Sequence, residues 1–405
     1  MGEAEPYSEV LLTVLPFPEP TALLNDIRKK FPHIRVEYCR VMQHEDIVSK
    51  SDVVPKGLYR LGGFTLLFYQ KIFPIFSLPH YQLLIPNSQF AGSVDILAVT
   101  TILSTLQFLP RIEDAPRLKL VHSITAGVDH LIDDPIITQT NIPITTVSGI
   151  HGPPISEWVI MNWLVSSRLY DMTSEWQRAK VWTSNKGLIH MMQDHVKKRV
   201  GILGYGSIGR QVARVSVAMG MEVLAYTFSP RLTPESKQDK GYIVPGTGDP
   251  DGSLPIEWHS GKDKASLHHF LAQNLDYLLI SVPLTQDTNK FLGAEEFCIL
   301  SKNCVDKKRR PFVTNISRGR ILDQDALLAS LQSGELGGAA VDVTEPEPLP
   351  ADHPLWTAPN IHISPHMSSL GVEYLARSFD VLGANLTRME RGEPLINEYR
   401  REKGY

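Results

Sequence analysis

Three charged residues that follow predicted strands could together carry out acid/base chemistry on a carbonyl compound. They are Arg318, Glu347 and His366. Arginine offers a planar, permanently charged fork that suits a substrate carboxylate and polarises a carbonyl on which negative charge develops. Imidazole titrates near neutral pH, so His366 could give or take a proton, and a carboxylate beside it would fix its tautomer. Together these residue types could hold a carboxylate and move a proton to or from a neighbouring carbonyl oxygen.

A glycine-rich turn lies upstream of these residues and has the pattern of a dinucleotide-binding loop. The turn follows the predicted strand Val200–Leu203 and leads into a predicted helix, Ile208–Met219, which is the context that gives the pattern its meaning. The first glycine permits a tight turn, the second leaves room for a pyrophosphate and the third lets helix and strand pack closely. The predicted cofactor-binding residues are Gly204, Tyr205, Gly206, Ser207, Ile208 and Gly209.

The end of the next predicted strand, Val223–Thr227, indicates which dinucleotide is preferred. NAD-binding domains usually carry an acidic residue here for the ribose hydroxyls, but no acid lies between Glu222 and Glu235. Ser229 and Arg231 instead supply donors and positive charge that suit a 2′-phosphate. The sequence therefore predicts that NADP(H) is preferred, and NAD(H) stays possible if Arg231 is only a solvated loop residue.

Strands and helices alternate along most of the chain, which predicts an α/β fold with parallel, doubly wound sheets. A long helix, Pro153–Leu169, is predicted to link two domains, and Asp323 is predicted to cap a helix over Gln324–Ser333. The stretch Arg231–Ser266 is predicted to be a surface loop because proline, glycine, aspartate and serine are frequent in it. The other predicted strands are Val10–Leu15, Ile34–Cys39, Val94–Val99, Leu118–Ile124, Tyr277–Val282, Phe312–Ile316, Ala339–Val343 and Ile361–Ser364, with helices at Thr21–Phe31 and Ile102–Leu109.

Length and composition restrict the class of protein. The chain has 405 residues, which is more than one compact core usually contains, so two domains are expected. A formal net charge of −4 gives no electrostatic basis for binding nucleic acid or an anionic membrane. The 3 cysteines lack metal-ligand or disulfide spacing, so no metal site is expected. The cysteine usage and the acidic N-terminus, which lacks a signal-peptide pattern, predict a cytoplasmic protein.

One segment, Leu58–Pro86, is apolar but does not predict a membrane helix. Pro74, Pro79 and Pro86 interrupt it and Lys71 lies within it. Long apolar loops are rare in compact domains, and the uncertain stretch extends to about residue 94. Three explanations stay open: an insertion, a subunit contact, or a wrongly assembled piece of coding sequence.

On the basis of these motifs, the chain resembles the D-isomer-specific 2-hydroxyacid dehydrogenases over about residues 90 to 395. Within that family it resembles the glyoxylate and hydroxypyruvate reductases more closely. The spacings of Arg318, Glu347 and His366 are close to those of the family. The resemblance implies that Arg318 holds the substrate carboxylate and carbonyl. It also implies that His366 is the acid/base and that Glu347 hydrogen-bonds to it.

The resemblance extends to residues without reactive side chains and to the domain plan. It implies that Ala126 and Gly127 bind the substrate carboxylate through their backbone, and that Asp342 accepts from the nicotinamide carboxamide. It implies that Val282 and Pro283 form an apolar wall beside the adenosine. The expected domains are a Rossmann-type NAD(P)-binding domain over 147–366 and a flavodoxin-like substrate domain over 1–146 and 367–405, with a cleft between them. A homodimer is expected.

Two functions remain open at this point. The first is the reduction of a small 2-oxo acid, of the glyoxylate or hydroxypyruvate type, to the D-2-hydroxy acid. The second is dinucleotide sensing by a regulatory protein, because the C-terminal binding protein corepressors keep the same fold and the same three residues. The enzyme is favoured, since no disordered tail or basic targeting region accompanies the core. Turnover on glyoxylate would separate the two.

Overall fold

The computed structural model describes residues 7–40, 100–106, 109–128, 131–183, 187–304 and 310–401. The predicted strand Val94–Val99 and the apolar segment Leu58–Pro86 lie outside these residues. The chain divides into an N-terminal unit, Met1–Val147 with Ser378–Tyr405, and a central unit, Ser148–Arg377. Among the described residues, no helix combines the length and the apolar character that crossing a bilayer requires.

The N-terminal unit is built around a five-stranded parallel sheet with the order β2-β1-β3-β4-β5. Its strands are β1 (Glu9–Leu15), β2 (Ile34–Arg40), β3 (Ile102–Thr105), β4 (Leu120–Ser123) and β5 (Ile144–Thr145). Helices α1 (Thr21–Lys30) and α2 (Pro135–Gln139) connect them. Neighbouring residues of β1 face opposite cores, because Leu11 and Leu12 belong to different buried clusters. The sheet is therefore covered on both faces, as a doubly wound fold requires.

One predicted element of this unit is wrong. The segment from Ile102 was predicted as a helix ending at Leu109, whereas the structure has the strand β3 there. All four residues of β3 are buried, so the strand lacks the alternation of apolar and polar residues that distinguishes a strand from a helix. Periodicity alone could not identify a strand that is buried on both faces.

The central unit contains a seven-stranded sheet with the order β12-β11-β10-β9-β6-β7-β8, in which every pair of neighbours is parallel. In chain order, β7 and β8 are added on one side of β6, and β9 to β12 are then added on the other side. The strands are β6 (Arg199–Leu203), β7 (Glu222–Thr227), β8 (Glu257–Ser260), β9 (Tyr277–Ile280), β10 (Phe312–Asn315), β11 (Gly338–Val341) and β12 (Ile361–Ile363).

Helices cover this sheet, and two buried clusters separate along its faces. In β6, Leu203 belongs to one cluster, whereas Val200 and Ile202 belong to the other. The predicted linking helix is shorter than expected, and a second helix follows it directly. The helices are α3 (Gly152–Ser167), α4 (Tyr170–Ala179), α5 (Ser207–Ala218), α6 (Pro234–Lys237), α7 (Lys264–Leu271), α8 (Ala294–Asn303) and α9 (Gln324–Gln332). The last helix, α10 (Tyr374–Arg391), belongs from Ser378 onward to the N-terminal unit, where Phe379 and Leu382 are buried in its core.

The stretch Arg231–Ser266 is not a plain surface loop, so that prediction is also wrong. It contains α6 and the edge strand β8, which pairs with β7 in parallel. Asp249 is only 3% exposed although it lies among glycines and prolines. The composition indicated turns, which are present, but it could not indicate that tertiary hydrogen bonds hold these turns against the domain.

Candidate active site

The sheet order of the central unit brings the three predicted catalytic segments onto neighbouring strands. Arg318 follows β10, Glu347 follows β11 and His366 follows β12, and these strands are adjacent in the sheet. Parallel strands place their carboxyl ends at the same edge, where ligands bind in open α/β sheets. The glycine turn after β6 lies at that edge too, beside the point where the strand order reverses.

His366 and Glu347 form a hydrogen-bonded pair. Nδ1 of His366 lies 2.7 Å from Oε1 of Glu347. Because a carboxylate only accepts, Nδ1 carries the hydrogen, and proton exchange would take place at Nε2. The two side chains are 27% and 28% exposed, so a ligand can reach them without full solvation of the pair.

The backbone of His366 is held in an uncommon conformation by Asp342. His366 has φ of 51°, in the left-handed region that side-chain-bearing residues seldom adopt. The carboxylate of Asp342, which is 2% exposed, accepts from the Ser364 hydroxyl, from the backbone N–H groups of Met367 (2.8 Å) and Ser368 (3.0 Å), and from the Ser368 hydroxyl. Asp342 thus ties the turn that carries His366 to the end of β11. Its expected contact with a nicotinamide stays a prediction.

Close packing of two loops brings the Arg318 segment against the Glu347 segment. A Cβ atom on Gly319 would lie 2.0 Å from the carbonyl oxygen of Thr344, so only glycine allows this approach. Asn315 donates to the carbonyl of Arg318 at 3.0 Å, and Nη1 of Arg318 donates to the carbonyl of Ser317 at 2.8 Å. Arg318 is partly buried, so its position is determined by the protein.

Gln324, which the sequence analysis did not single out, fixes the loop that carries Glu347. Its Nε2 donates to the carbonyl of Glu345 at 2.9 Å, and the N–H of Glu345 donates to its Oε1 at 3.1 Å. The predicted cap of the same helix is confirmed: Asp323 accepts from the N–H groups of Asp325 and Ala326. No sequence signal marked Gln324, because its partner is a backbone group twenty-one residues away.

The glycine turn has the shape of a cradle for a phosphate group. Gly204 has φ of 100°, and a Cβ atom there would lie 2.5 Å from the carbonyl oxygen of Ser281. A Cβ atom on Gly209 would lie 2.5 Å from the carbonyl oxygen of Gly204, whereas one on Gly206 would meet nothing within 4 Å. The open side at Gly206, next to the first N–H groups of α5, fits a pyrophosphate. Ser281, which sequence reasoning missed, donates its hydroxyl to Gly204 at 2.6 Å.

The predicted 2′-phosphate residues lie exposed after β7. The hydroxyl of Thr227 donates to the carbonyl of Ser229 at 2.8 Å, and Nη1 of Arg231 donates to the carbonyl of Ser236 at 2.7 Å. One hydrogen bond therefore orients Arg231 and leaves most of its fork available. A second cation, Lys262, lies 4.8 Å from the ring centre of Phe228. Sequence reasoning missed Lys262 because it enters this region from the turn after β8.

The remaining predicted residues occupy two different places in the chain. Val282 and Pro283 follow β9, so they lie at the same sheet edge as the glycine turn. Ala126 and Gly127 follow β4 in the N-terminal unit, where the hydroxyl of Thr125 donates to the carbonyl of Gly127 at 2.6 Å. Asp129 and His130, which come shortly after Gly127 in the sequence, lie outside the described residues.

One group of side chains in the described residues has metal-ligand types: the ligand atoms of His268, Glu295 and Glu296 lie within 4.8 Å of one another. The Glu296 carboxylate already accepts from Nζ of Lys264 at 2.9 Å and lies 2.7 Å from Nε2 of His268. It also accepts from the N–H of Gly293 at the start of α8. The ammonium of Lys264 occupies the position that a metal cation would need. These three side chains are therefore interpreted as part of the cap of α8 and not as a metal site.

Comparison with known proteins agrees with this geometry. The sequence profile described as D-isomer specific 2-hydroxyacid dehydrogenase, NAD binding domain, matches residues 160–244 and 253–368. These ranges include the glycine turn, Arg318, Glu347 and His366.

Relatives with assigned activities match much of the chain. A glyoxylate reductase of Aeropyrum pernix is 26% identical over 365 residues, which cover 89% of this chain and 97% of the relative. The human glyoxylate reductase/hydroxypyruvate reductase is 29% identical over 291 residues, which cover 71% of this chain and 79% of the relative.

Solved structures show the same fold. The NADPH-dependent glyoxylate/hydroxypyruvate reductase of Sinorhizobium meliloti, in complex with NADP and sulfate, superposes with a TM-score of 0.66 at 23% identity, covering 98% of this chain and 100% of that one. A probable 2-hydroxyacid dehydrogenase from Rhizobium etli, in complex with NADP, gives a TM-score of 0.65 at 22% identity, covering 98% and 100%. From the site, the matched profile and these relatives together, we conclude that the chain belongs to the D-isomer specific 2-hydroxyacid dehydrogenase family.

Proposed function

We propose that this protein reduces a small 2-oxo acid of the glyoxylate or hydroxypyruvate type to the D-2-hydroxy acid, with a nicotinamide dinucleotide as the cofactor. The observation that carries the proposal is the 2.7 Å hydrogen bond between His366 and Glu347, which follow the neighbouring strands β12 and β11, with Arg318 after the next strand, β10. A proton donor with a fixed tautomer beside a permanent cation is the set that carbonyl reduction needs.

Each residue has a defined part in the proposed reaction. Arg318 binds the substrate carboxylate and polarises the carbonyl as its oxygen gains negative charge. His366 delivers the proton from Nε2 to that oxygen, while Glu347 accepts from Nδ1–H and orients the ring. Hydride transfer to the carbonyl carbon is the chemistry that a reduced dinucleotide supplies when it is bound. In the reverse direction, Nε2 accepts the hydroxyl proton.

The preference for NADP(H) is part of the proposal. It is supported by the lack of an acidic residue between Glu222 and Glu235 in the sequence, by the exposed Arg231 and by Lys262, whose ammonium lies over the ring of Phe228 just after β7. The neighbours from Sinorhizobium meliloti and Rhizobium etli, which hold NADP, also support it. A charge-assisted hydrogen bond contributes roughly 1.5–3 kcal/mol, or about 10- to 150-fold in affinity.

A steady-state panel of 2-oxo acids with NADPH and with NADH tests this proposal. We expect turnover of glyoxylate or hydroxypyruvate, with kcat/KM at least about tenfold higher for NADPH. Arg231→Ala should remove most of that preference by weakening NADPH alone. Equal losses with both cofactors would make Arg231 a structural residue, and a wild-type preference for NADH would refute the phosphate site.

We also propose that the protein is a homodimer. The support is an exposed apolar surface on α4 and the residues after it, where Tyr170 is 60%, Val181 51% and Trp182 102% exposed. Surfaces of this kind usually mark contacts between proteins. Trp182→Asp should convert a dimer to a monomer in light scattering after size-exclusion chromatography, and a monomeric wild type would contradict the proposal.

A cytoplasmic location is likewise proposed. Cys39 and Cys304 are buried, Cys298 is partly buried, and no disulfide joins these three cysteines, all of which lie in the described part of the chain. Cysteines that persist without disulfides are typical of reducing compartments.

A further inference from the structure

The residues from 238 to 254, here called the 238–254 loop, are joined by hydrogen bonds to one another although they contain no helix or strand. The N–H of Asp239 donates to the carbonyl of Pro250 at 2.8 Å and joins the two ends of the loop. The carboxylate of Asp249 accepts from the N–H groups of Ser253 at 3.1 Å and Leu254 at 3.2 Å. Asp249 thereby organises the turn that leads out of the loop.

The helix that follows the glycine turn binds this loop through buried polar groups. Arg210, only 4% exposed, donates to the carbonyl groups of Asp249 and of Lys237, the latter at 2.6 Å. In the next position of the helix, Oε1 of Gln211 accepts from the N–H of Gly248 at 2.6 Å. A buried guanidinium needs such partners because removing a charge from water is costly. The loop is consequently part of the helix's immediate support.

Tyr205 extends this network into the glycine turn itself. It lies between Gly204 and Gly206, its side chain is 5% exposed, and its hydroxyl donates to Oδ2 of Asp249 at 2.8 Å. The ring lies 5.1 Å from the guanidinium carbon of Arg210 and packs edge-on against Trp258. Burial raises the pKa of Tyr205, and the hydrogen bond to Asp249 raises it further, so the hydroxyl remains a donor.

The two sides of the turn are thus fixed by different contacts. On one side, Ser281 donates to the carbonyl of Gly204. On the other, the Tyr205 side chain is fastened to Asp249, while the backbone at Gly206 stays open. We propose that the Tyr205–Asp249 hydrogen bond anchors the glycine turn, and that Tyr205 is a positioning residue for the backbone N–H groups that receive the cofactor's pyrophosphate.

The anchor should act on affinity because a preorganised turn avoids the cost of ordering its backbone when the cofactor binds. Both NADP and NAD carry the same pyrophosphate. Loss of the anchor should therefore weaken both dinucleotides by a similar factor, in contrast to a change at Arg231, which should weaken NADP alone. This inference concerns dinucleotide binding and does not depend on which 2-oxo acid is reduced.

The first test is Tyr205→Phe, which removes the hydroxyl and keeps the buried ring. We expect isothermal titration calorimetry to give dissociation constants for NADP⁺ and NAD⁺ that both rise at least about fivefold, the effect of losing one buried hydrogen bond. With saturating dinucleotide, kcat should stay within about twofold of wild type while the KM for the dinucleotide rises. Because the titration contains no substrate, it remains informative even if the proposed reaction is wrong.

Tyr38→Phe is the matched control. In the wild type, the hydroxyl of Tyr38 donates to the carbonyl of Phe17 in the N-terminal unit. The substitution therefore removes the same phenolic oxygen, but from a hydrogen bond that is remote in sequence from the glycine turn. This variant should keep wild-type dissociation constants. Unchanged constants in Tyr205→Phe, with or without a lower Tm, would overturn the proposal because the hydrogen bond would then be only structural.

A double-mutant cycle tests whether the two residues act as one unit. Tyr205→Phe and Asp249→Ala should each raise the dissociation constant of the dinucleotide. The dissociation constant of the double variant should not exceed the higher of the two single-variant values. Asp249→Asn retains an acceptor oxygen and should recover part of the affinity lost in Asp249→Ala. Additive effects in the double variant would show that Tyr205 and Asp249 act independently and would overturn the anchor.

Discussion

At the level of single residues, His366 has two supports with different physical roles. Glu347 contacts the imidazole and determines which nitrogen holds the proton, whereas Asp342 determines where the backbone of the turn lies. The first support acts on protonation and the second on position. A substitution at Glu347 should therefore change the tautomer of His366, whereas one at Asp342 should displace the turn that carries it.

Glu347→Gln should slow reduction without weakening dinucleotide binding. Glutamine keeps a hydrogen-bond partner for Nδ1, but its amide can donate as well as accept, so it no longer restricts the hydrogen to Nδ1. We expect kcat to fall about tenfold, as for the loss of roughly 1.4 kcal/mol of positioning, with the dissociation constant for NADP⁺ unchanged. Steady-state kcat and calorimetric titration with NADP⁺ check this, and a wild-type kcat would argue that Glu347 does not orient His366.

The residues proposed to be reactive stand out in the sequence, whereas the residues that support them do not. Arg318, His366 and the glycine turn carry chemistry in the residue type itself and occur beside predicted strands. Gln324 and Ser281 are ordinary residue types whose importance arises from hydrogen bonds to backbone groups of distant segments. Such contacts depend on tertiary packing, which a local pattern does not contain.

At the level of elements, the order of the strands arranges the site along one sheet edge. The catalytic segments follow β10, β11 and β12, the glycine turn follows β6, and the predicted 2′-phosphate site follows β7. Neighbouring strands lie about 4.8 Å apart, so β12 and β6 are separated by roughly 19 Å along that edge. The edge can accommodate an extended ligand with its two ends at different functional groups.

Gln324, at the start of α9, links this helix to the loop that carries Glu347. Gln324→Ala removes both hydrogen bonds to the backbone of Glu345, so the loop should lose order. We expect kcat/KM for the 2-oxo acid to fall about tenfold, as for the loss of roughly 1.4 kcal/mol of positioning, with the dissociation constant for the dinucleotide unchanged.

Gln332→Ala at the other end of α9 is the control, because Gln332 is exposed. It makes the same change in residue type and in helix propensity, and it should retain wild-type kinetics. Equal effects of the two substitutions would show that Gln324 acts only through the stability of the helix.

Elements with a clear pattern were predicted well, and those without one were not. The strands next to the glycine turn and the cap at Asp323 agree with the structure because each has a local physical cause. The prediction missed β3 because this strand is buried on both faces. It missed β8 because an edge strand in a polar stretch has no distinctive composition. Its pairing with β7 is a tertiary property.

At the level of the whole molecule, two histidines make stability depend on pH. Burial lowers the pKa of His122 in the N-terminal unit and of His151 in the central unit to about 4 each. Below pH 6.5, the unfolded chain binds protons that the folded chain excludes, so these histidines oppose folding progressively as the pH falls toward 4. Their full contribution to stability is present above the unfolded pKa.

For His151, the expected loss between pH 7 and pH 5 is about 2 kcal/mol. All 6 tryptophans lie in the central unit, so tryptophan fluorescence in urea follows the unfolding of that unit. His151→Gln should show a flatter pH dependence than wild type, whereas His269→Gln, at an exposed histidine of the same unit, should not. Parallel curves for wild type and His151→Gln would contradict this assignment.

The division into two units followed from length, since 405 residues exceed the size of one ordinary core. The alternation of strands and helices also predicted the α/β class, which the two parallel sheets confirm. The identity of the 2-oxo acid did not follow, because the proposed catalytic residues would contact only the carboxylate and carbonyl that all such acids share.

The central claim is that His366 donates the proton in the reduction of a small 2-oxo acid. The most direct test compares the kcat of His366→Ala with that of wild type, with glyoxylate as the substrate and saturating NADPH. We expect the wild type to turn over, and the variant to be at least about 100-fold slower, the lower limit for loss of a general acid. Its dissociation constant for NADP⁺ should be unchanged. A folded variant with wild-type kcat would contradict the role of His366, and a wild type that binds dinucleotide without reducing any 2-oxo acid would indicate a sensor in place of an enzyme.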